Sequence, residues 1–217
     1  MVKAVIFDMD GLLLDTEKYL VKAWTQAARE FGYPFTREHG LKLRSLTKQY
    51  AAPMLKEMFD DSFDYYTVRE RRKEIMEEML KAEGLQRKPG AKELLSFLHD
   101  NHIKTAVATA TDLERAERYL KSVDLWDEFD KIVCVAMVKI GKPEPDVYLY
   151  ACEQIGEKPE DCMALEDSPN GVTSAYRAGL KTVMVPDLTE PDDELMKLLY
   201  AKADSLDKVI DIIRADN

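Results

Sequence analysis

The sequence predicts an α/β fold: a Rossmann-like, doubly wound parallel sheet with a small all-helical domain inserted after the first strand. Three observations predict it. Val2–Phe7 is a short apolar run rich in Val and Ile, closed by Asp8-Met-Asp-Gly11, the pattern of a strand buried on both faces. After residue 85, four strand-like runs alternate with helical segments, which implies a parallel sheet with helices on both faces. From Asp15 to Glu83 there is helical periodicity and no convincing strand. The first strand therefore finds no partner until Thr105. The simplest account is a core of residues 1–14 and 85–217, with residues 15–84 as the helical unit.

Each element has its own signal. Leu20, Trp24, Ala27, Ala28 and Phe31 share a helical face, with Asp15 or Thr16 as N-cap and Gly32 as C-cap. Ala51, Met54, Leu55, Met58 and Phe59 mark a second helix. Val68, Arg72, Ile75, Met76, Met79 and Leu80 mark a third, ending near Gly84. Pro89-Gly90 opens a helix with Leu94, Leu95 and Leu98 on one face. The later strands are Lys104–Thr109, Lys131–Val135, Cys162–Leu165 and Lys181–Val185. The helices between them are Asp112–Ser122, Pro145–Ile155 and Asn170–Ala178, the first with Thr111-x-x-Glu114 as a capping box. Leu206 to Ile213 reads as a closing amphipathic helix.

Composition narrows the function. The chain has 217 residues, 46% hydrophobic and 33% charged, an ordinary globular balance. Its formal charge is −10 and its pI about 4.9. A general nucleic-acid binder or a basic membrane-surface protein needs a positive field, so both are set aside. Cys134, Cys152 and Cys162 are odd in number and form no C-x-x-C, which reads as three reduced thiols. The apolar start reaches only Asp8, too short for a signal-peptide core, and no run approaches a membrane span. The expectation is a cytoplasmic protein.

In an open parallel sheet, ligands bind at the carboxyl ends of the strands. Those ends carry Asp8-Met-Asp10-Gly, then Thr109-Ala110-Thr111, then Gly141-Lys142-Pro143, then Glu166-Asp167-Ser-Pro-Asn-Gly171. Each piece alone has a plain structural reading: a strand end, a β-branched residue, a loop before a helix, a tight turn. Together they aim four carboxylates, a lysine and a hydroxyl at one crevice. Carboxylates packed together repel unless a cation joins them, and oxygen ligands in this number suit Mg²⁺ with a phosphate.

The same four motifs, Phe7-Asp-Met-Asp-Gly-Leu-Leu-Leu-Asp-Thr-Glu17, Thr109, Gly141-Lys-Pro-Glu-Pro-Asp146 and Leu165-Glu-Asp-Ser-Pro-Asn-Gly171, resemble the haloacid dehalogenase superfamily of phosphotransferases. The chain is most similar to its β-phosphoglucomutase-like group, which includes sugar-phosphate and nucleoside-monophosphate phosphatases. The resemblance implies a mobile helical cap, a small phosphorylated metabolite as substrate and, as the default for the group, a monomer. It implies Asp8 as nucleophile through an aspartyl-phosphate, and Asp10 as general acid and base. Thr109, Ala110 and Lys142 would hold the phosphoryl oxygens. Asp8, the Asp10 carbonyl, Asp167 and Glu166 would hold Mg²⁺.

Two departures stand out. Mutases of the group carry a His in the first cap helix where this chain has Leu20, which favours hydrolysis over mutase chemistry. Arg44 stands in a loop that usually carries a Gly, and could clamp substrate or sit solvated on the cap. The rival functions are a phosphomutase for hexose phosphates and a non-enzymatic protein that keeps the fold. His39, His99 and His102 lie outside the motifs, and Arg69–Lys73 reads as a solvated helix face with i,i+4 pairs.

Overall fold

The computed structural model describes residues 1–216. Its elements run β1 Ala4–Phe7, α1 Glu17–Glu30, α2 Arg37–Lys42, α3 Lys48–Met58, α4 Tyr65–Glu83, α5 Ala91–Asp100, β2 Lys104–Thr109 and α6 Leu113–Ser122. They continue as β3 Lys131–Cys134, α7 Asp146–Ile155, β4 Cys162–Glu166, α8 Pro169–Arg177, β5 Lys181–Met184, α9 Asp193–Met196, β6 Ala201–Lys202 and α10 Val209–Asp216. The six strands form one sheet in the order β3-β2-β1-β4-β5-β6, and every neighbouring pair is parallel.

The two-residue period of β1 divides the core. Val5 and Phe7 join the cluster that holds Leu94, Leu95 and Leu98 of α5 and Leu120 of α6. Ala4 and Ile6 face the other way, into Val147, Ala151 and Cys152 of α7 and Ala175 of α8. Every side chain of β1 is thus buried, which is why that strand reads as a continuous apolar run. The helices α1 to α4 lie between β1 and α5 in the chain. Trp24, Phe35, Leu55 and Val68 of this insert belong to the same cluster as Phe7 and Leu94, so apolar packing runs unbroken from sheet to insert. Each fully buried Leu or Phe of that seam contributes about 1.5–3 kcal/mol before entropy.

The local differences from expectation have physical causes. The helix α2 escapes the apolar period because it is six residues long with Gly40 inside it; the Thr36 amide donates to His39 Nδ1 (3.0 Å), so His39 serves as a cap. Both α9 and β6 are too short for periodicity to show. Asp112, not Thr111, caps α6, its carboxylate accepting from the Arg115 amide at 3.0 Å. Thr16 precedes α1 without a side-chain cap bond. Both threonine hydroxyls are used elsewhere.

Candidate active site

The strand order reverses at β1, which has β2 on one side and β4 on the other. The crevice that opens at such a switch point, beyond the carboxyl ends of the strands, is where the predicted residues meet. Phe7 pairs with Leu165, and the Asp8 amide donates to the Leu165 carbonyl at 3.0 Å, so Asp8 leaves the sheet beside Glu166 and Asp167. Carboxylate oxygens of Asp8, Glu166 and Asp167, one from each, lie within 4.8 Å of one another.

Two cations flank this cluster. Lys142 Nζ donates to Asp8 Oδ1 and, at 2.6 Å, to Glu166 Oε1. Burial pulls the Lys142 ammonium down, but Asp8 and Glu166 outweigh it and hold it above its ordinary range. The Tyr148 hydroxyl also donates to Glu166 Oε1, at 2.6 Å. From the insert, Arg44 Nη2 donates to Asp167 Oδ2 and to the Asp167 carbonyl (2.9 Å), and Nη1 donates to Thr189 Oγ1 (2.8 Å). Arg44 Nε lies 3.5 Å from Glu17 Oε2. Arg44 is only 1% exposed. The guanidinium expected at the substrate or in solvent is thus turned onto a predicted metal ligand. The residue with left-handed backbone in that loop is Ser45, at φ 57, so the conformation that favours Gly falls one position after Arg44. The Ser168 hydroxyl donates to Ser45 Oγ (2.9 Å) and the Asn170 side-chain Nδ2 to the Arg44 carbonyl (2.9 Å), tying the loop down.

The charge sum bears on a metal. The buried side chains Asp8, Glu17, Glu166 and Asp167 face Lys142 and Arg44, a formal shortfall of two positive charges. Burial pushes Asp8 and Glu17 well above the usual carboxylate range, and Asp167 up to about 7 against the pull of Arg44. Asp8 Oδ2 and Asp167 Oδ1 are buried without a hydrogen-bond partner. A hard divalent cation with oxygen ligands fits this donor set.

Asp10 sits apart from that cluster, on the wall of a cavity of about 430 Å³ between sheet and insert. Thr16 Oγ1 donates to its Oδ1 and Thr111 Oγ1 to its Oδ2, both at 2.8 Å. These are the two diverted capping hydroxyls; they aim the carboxylate into the cavity. Thr109 and Ala110 line the same cavity, and Thr109 Oγ1 accepts from the Thr111 amide (3.0 Å). Asp8 lines it as well. Two glycines are imposed by close approach. Gly11 has φ +90, and a Cβ there would meet Asp167 Oδ2 at 2.3 Å; a Cβ on Gly171 would meet the Glu166 carboxylate at 2.0 Å.

Sequence reasoning gave no role to Glu17 or Tyr148, both buried in the cluster. Glu17 closes the first motif, so its place was available. Tyr148 lies on the buried face of α7, two residues after Asp146, and carries no motif signal.

The likeness to known proteins agrees with this geometry. Residues 5–185 match the family model described as haloacid dehalogenase-like hydrolase. The chain is 35% identical over 185 residues to the phosphorylated carbohydrates phosphatase of Thermotoga maritima, covering 83% of each chain. It is 36% identical over 197 residues to the probable pseudouridine-5'-phosphatase of Drosophila melanogaster, covering 84% of this chain and 80% of that one. The crystal structure of a putative β-phosphoglucomutase from Thermotoga maritima superposes with a TM-score of 0.74 at 29% identity, over 99% of each chain. Sheet order, strand-end carboxylates and these matches agree: the chain belongs to the haloacid dehalogenase-like hydrolases.

Proposed function

We propose that the protein is a Mg²⁺-dependent phosphatase that hydrolyses a small phosphorylated metabolite, a sugar phosphate or nucleoside monophosphate, through an aspartyl-phosphate on Asp8. One observation carries the reading: Asp8 lines the cavity with its Oδ2 buried and unpartnered, and its carboxylate lies within 4.8 Å of those of Glu166 and of Asp167, whose Oδ1 is likewise unpartnered. Asp8, the Asp10 carbonyl, Asp167 and Glu166 would hold the metal. Bound there, it supplies the positive charge that lets a carboxylate approach a phosphate dianion.

The chain's own residues do the rest. The Asp8 carboxylate forms a bond to phosphorus as the ester P–O bond breaks. Asp10, aimed into the cavity by Thr16 and Thr111, gives its proton to the leaving alkoxide. Asp10 then takes a proton from the water that attacks the aspartyl-phosphate, and the bond to Asp8 breaks with release of phosphate. Thr109, the backbone at Ala110 and Lys142 bind the phosphoryl oxygens. Lys142 also holds Asp8 and Glu166 in place. Arg44 acts on substrate only through Asp167, as a positioning residue. The helical insert serves as the cap that keeps water out of the first step. Three free, buried cysteines support a reducing, cytoplasmic setting. Among the described residues no helix is long and apolar enough to cross a membrane.

A panel of sugar phosphates and nucleoside monophosphates, read as phosphate release with and without EDTA, tests the proposal. Release that stops with EDTA and returns with Mg²⁺ is expected. Release that ignores EDTA overturns the metal dependence, and none on any ester overturns the phosphatase. β-Glucose 1-phosphate separates the rival chemistry, favoured by the likeness to a putative β-phosphoglucomutase: free phosphate marks hydrolysis, glucose 6-phosphate a mutase.

A further inference from the structure

Helix α4 carries four basic residues close together, Arg69, Arg71, Arg72 and Lys73, and the helix turn sorts them into two kinds. Arg71 and Lys73 lie on the solvent side. Arg71 pairs with Glu30 (2.6 Å) and Glu74 (3.0 Å), and Lys73 with Glu70 (2.7 Å). That half fits the solvated face read from the sequence. Arg69 and Arg72, three residues apart, instead line the same cavity as Asp8 and Asp10, Arg69 while also pairing with Glu70 at 3.4 Å.

Arg72 has no carboxylate in ion-pair reach among the described residues. It is 6% exposed, and its Nε is buried without a partner. Its Nη1 finds only Met76 Sδ at 3.9 Å, and its guanidinium lies 5.2 Å from the Trp24 ring centroid. Burial, with Arg115 and Arg69 nearby, lowers it to about 10, so it remains a cation at neutral pH. Arg115, from α6 on the core side, lines the same cavity. One end of it is held by Asp112 at 2.8 Å, and its Nε is also buried and unpartnered.

A buried cation without a counter-charge destabilises the fold that keeps it. Here the missing charge would come from a ligand. The strand-end part of the cavity wall already has its own means of holding a phosphoryl group, in Thr109 and Ala110, with Lys142 behind it on Asp8. The geometry points to a substrate with two anionic ends: a phosphate ester whose body also carries a carboxylate or a second phosphate, seated between Arg72, Arg69 and Arg115. Trp24 and Tyr65, also on the cavity wall, pack the body between the ends. This rests on the phosphatase reading only for which end reacts.

The test uses pairs that differ in the second anion alone: phosphoglycolate against ethyl phosphate, and fructose 1,6-bisphosphate against fructose 6-phosphate. The two pairs distinguish carboxylate from phosphate. The charged member of at least one pair should win by roughly 100-fold in kcat/KM. In Arg72→Gln that ratio should collapse to within a few-fold, and Arg72→Lys should restore part of it. Arg72→Gln should also melt no lower than the native chain without ligand, because it removes an uncompensated charge. A binding arm does not need turnover: calorimetry of the same pairs on the Asp8→Asn chain should show the charged member binding more tightly, in an Arg72-dependent way. Ratios near one in the native chain, or an Arg72→Gln loss equal for both members, overturn the inference. Absence of turnover with Arg72-dependent binding of the charged member would overturn the phosphatase reading and leave this one standing.

Discussion

The acidic cluster has two flanks, and each meets the same electrostatic demand with a different residue. On the core flank, Lys142 bridges Asp8 and Glu166 from the loop before α7. On the insert flank, Arg44 reaches from the loop after α2 to Asp167 and Glu17. Both cations are buried, and each pulls down a carboxyl that burial pushes up. The lysine is a compact point charge held by the sheet, whereas the arginine is a planar fork with its Nε lacking a hydrogen bond. The lesson concerns where the charge comes from. The core flank keeps its cation whatever the insert does, while the insert flank has its cation only when the insert is seated.

If the flanks were equivalent, losing either cation would cost the same. The largest expected effect is at Lys142, which touches Asp8, the proposed nucleophile. Lys142→Ala should lower kcat/KM by at least about 10³-fold. It should also cost roughly 3–5 kcal/mol of stability in EDTA, because one partner of a buried pair is left alone. Arg44→Met should lower kcat/KM by only about 10- to 100-fold, because Arg44 acts through Asp167. Melting curves of Arg44→Met should show a larger rise on adding Mg²⁺ than the native chain shows, since the metal replaces the missing charge. Equal kinetic losses in the two variants would erase the distinction.

The pH dependence sharpens the comparison next. Burial raises the folded-state Asp167 carboxyl to about 7, above its unfolded range near 4. The folded state therefore binds more protons than the unfolded state between those values. Stability of the metal-free protein from this group should fall as pH rises from about 4 to 7 and then level off. Asp8 and Glu17, also raised, add to the same slope. Urea unfolding at stepped pH in EDTA reads it. Asp167→Asn should flatten the slope, and a native chain more stable at pH 7 than at pH 5 would contradict the sign.

The same contrast marks how far the sequence could be read. The Lys142 flank was legible because its residues stand at strand ends, and strands announce themselves: Lys104–Thr109 is alternately packed on both faces over the range its composition predicts. The Arg44 flank was not, because its position depends on how a loop with left-handed Ser45 folds back over the sheet. Arg72 shares the helical period of Val68, Ile75 and Met76, which puts it on the buried face while its neighbour Lys73 turns outward, but only the helix's seating decides that this face opens on the cavity. Thr16 and Thr111 look like helix caps and instead orient Asp10, since a hydroxyl can serve either a backbone amide or a nearby carboxylate. Tertiary placement, which no local pattern encodes, accounts for each of these.

The smallest expected effects come from the neutral groups that accompany each cation. Tyr148 is fully buried, and Tyr148→Phe removes its donation to Glu166 Oε1. Lys142 still donates to that oxygen, so the carboxylate is not orphaned, and the cost should be about 1–1.5 kcal/mol. Thr189 accepts from Arg44 Nη1 and is only half-buried, so water can take its place. Thr189→Val should cost no more than about 0.5 kcal/mol. Urea midpoints at unchanged m-value read both. The order matters more than the sizes: a Thr189→Val loss as large as that of Tyr148→Phe would mean that the insert flank is as dry as the core flank. Arg44 would then be as fixed as Lys142, and the difference between a resident and a delivered cation would lose its physical basis.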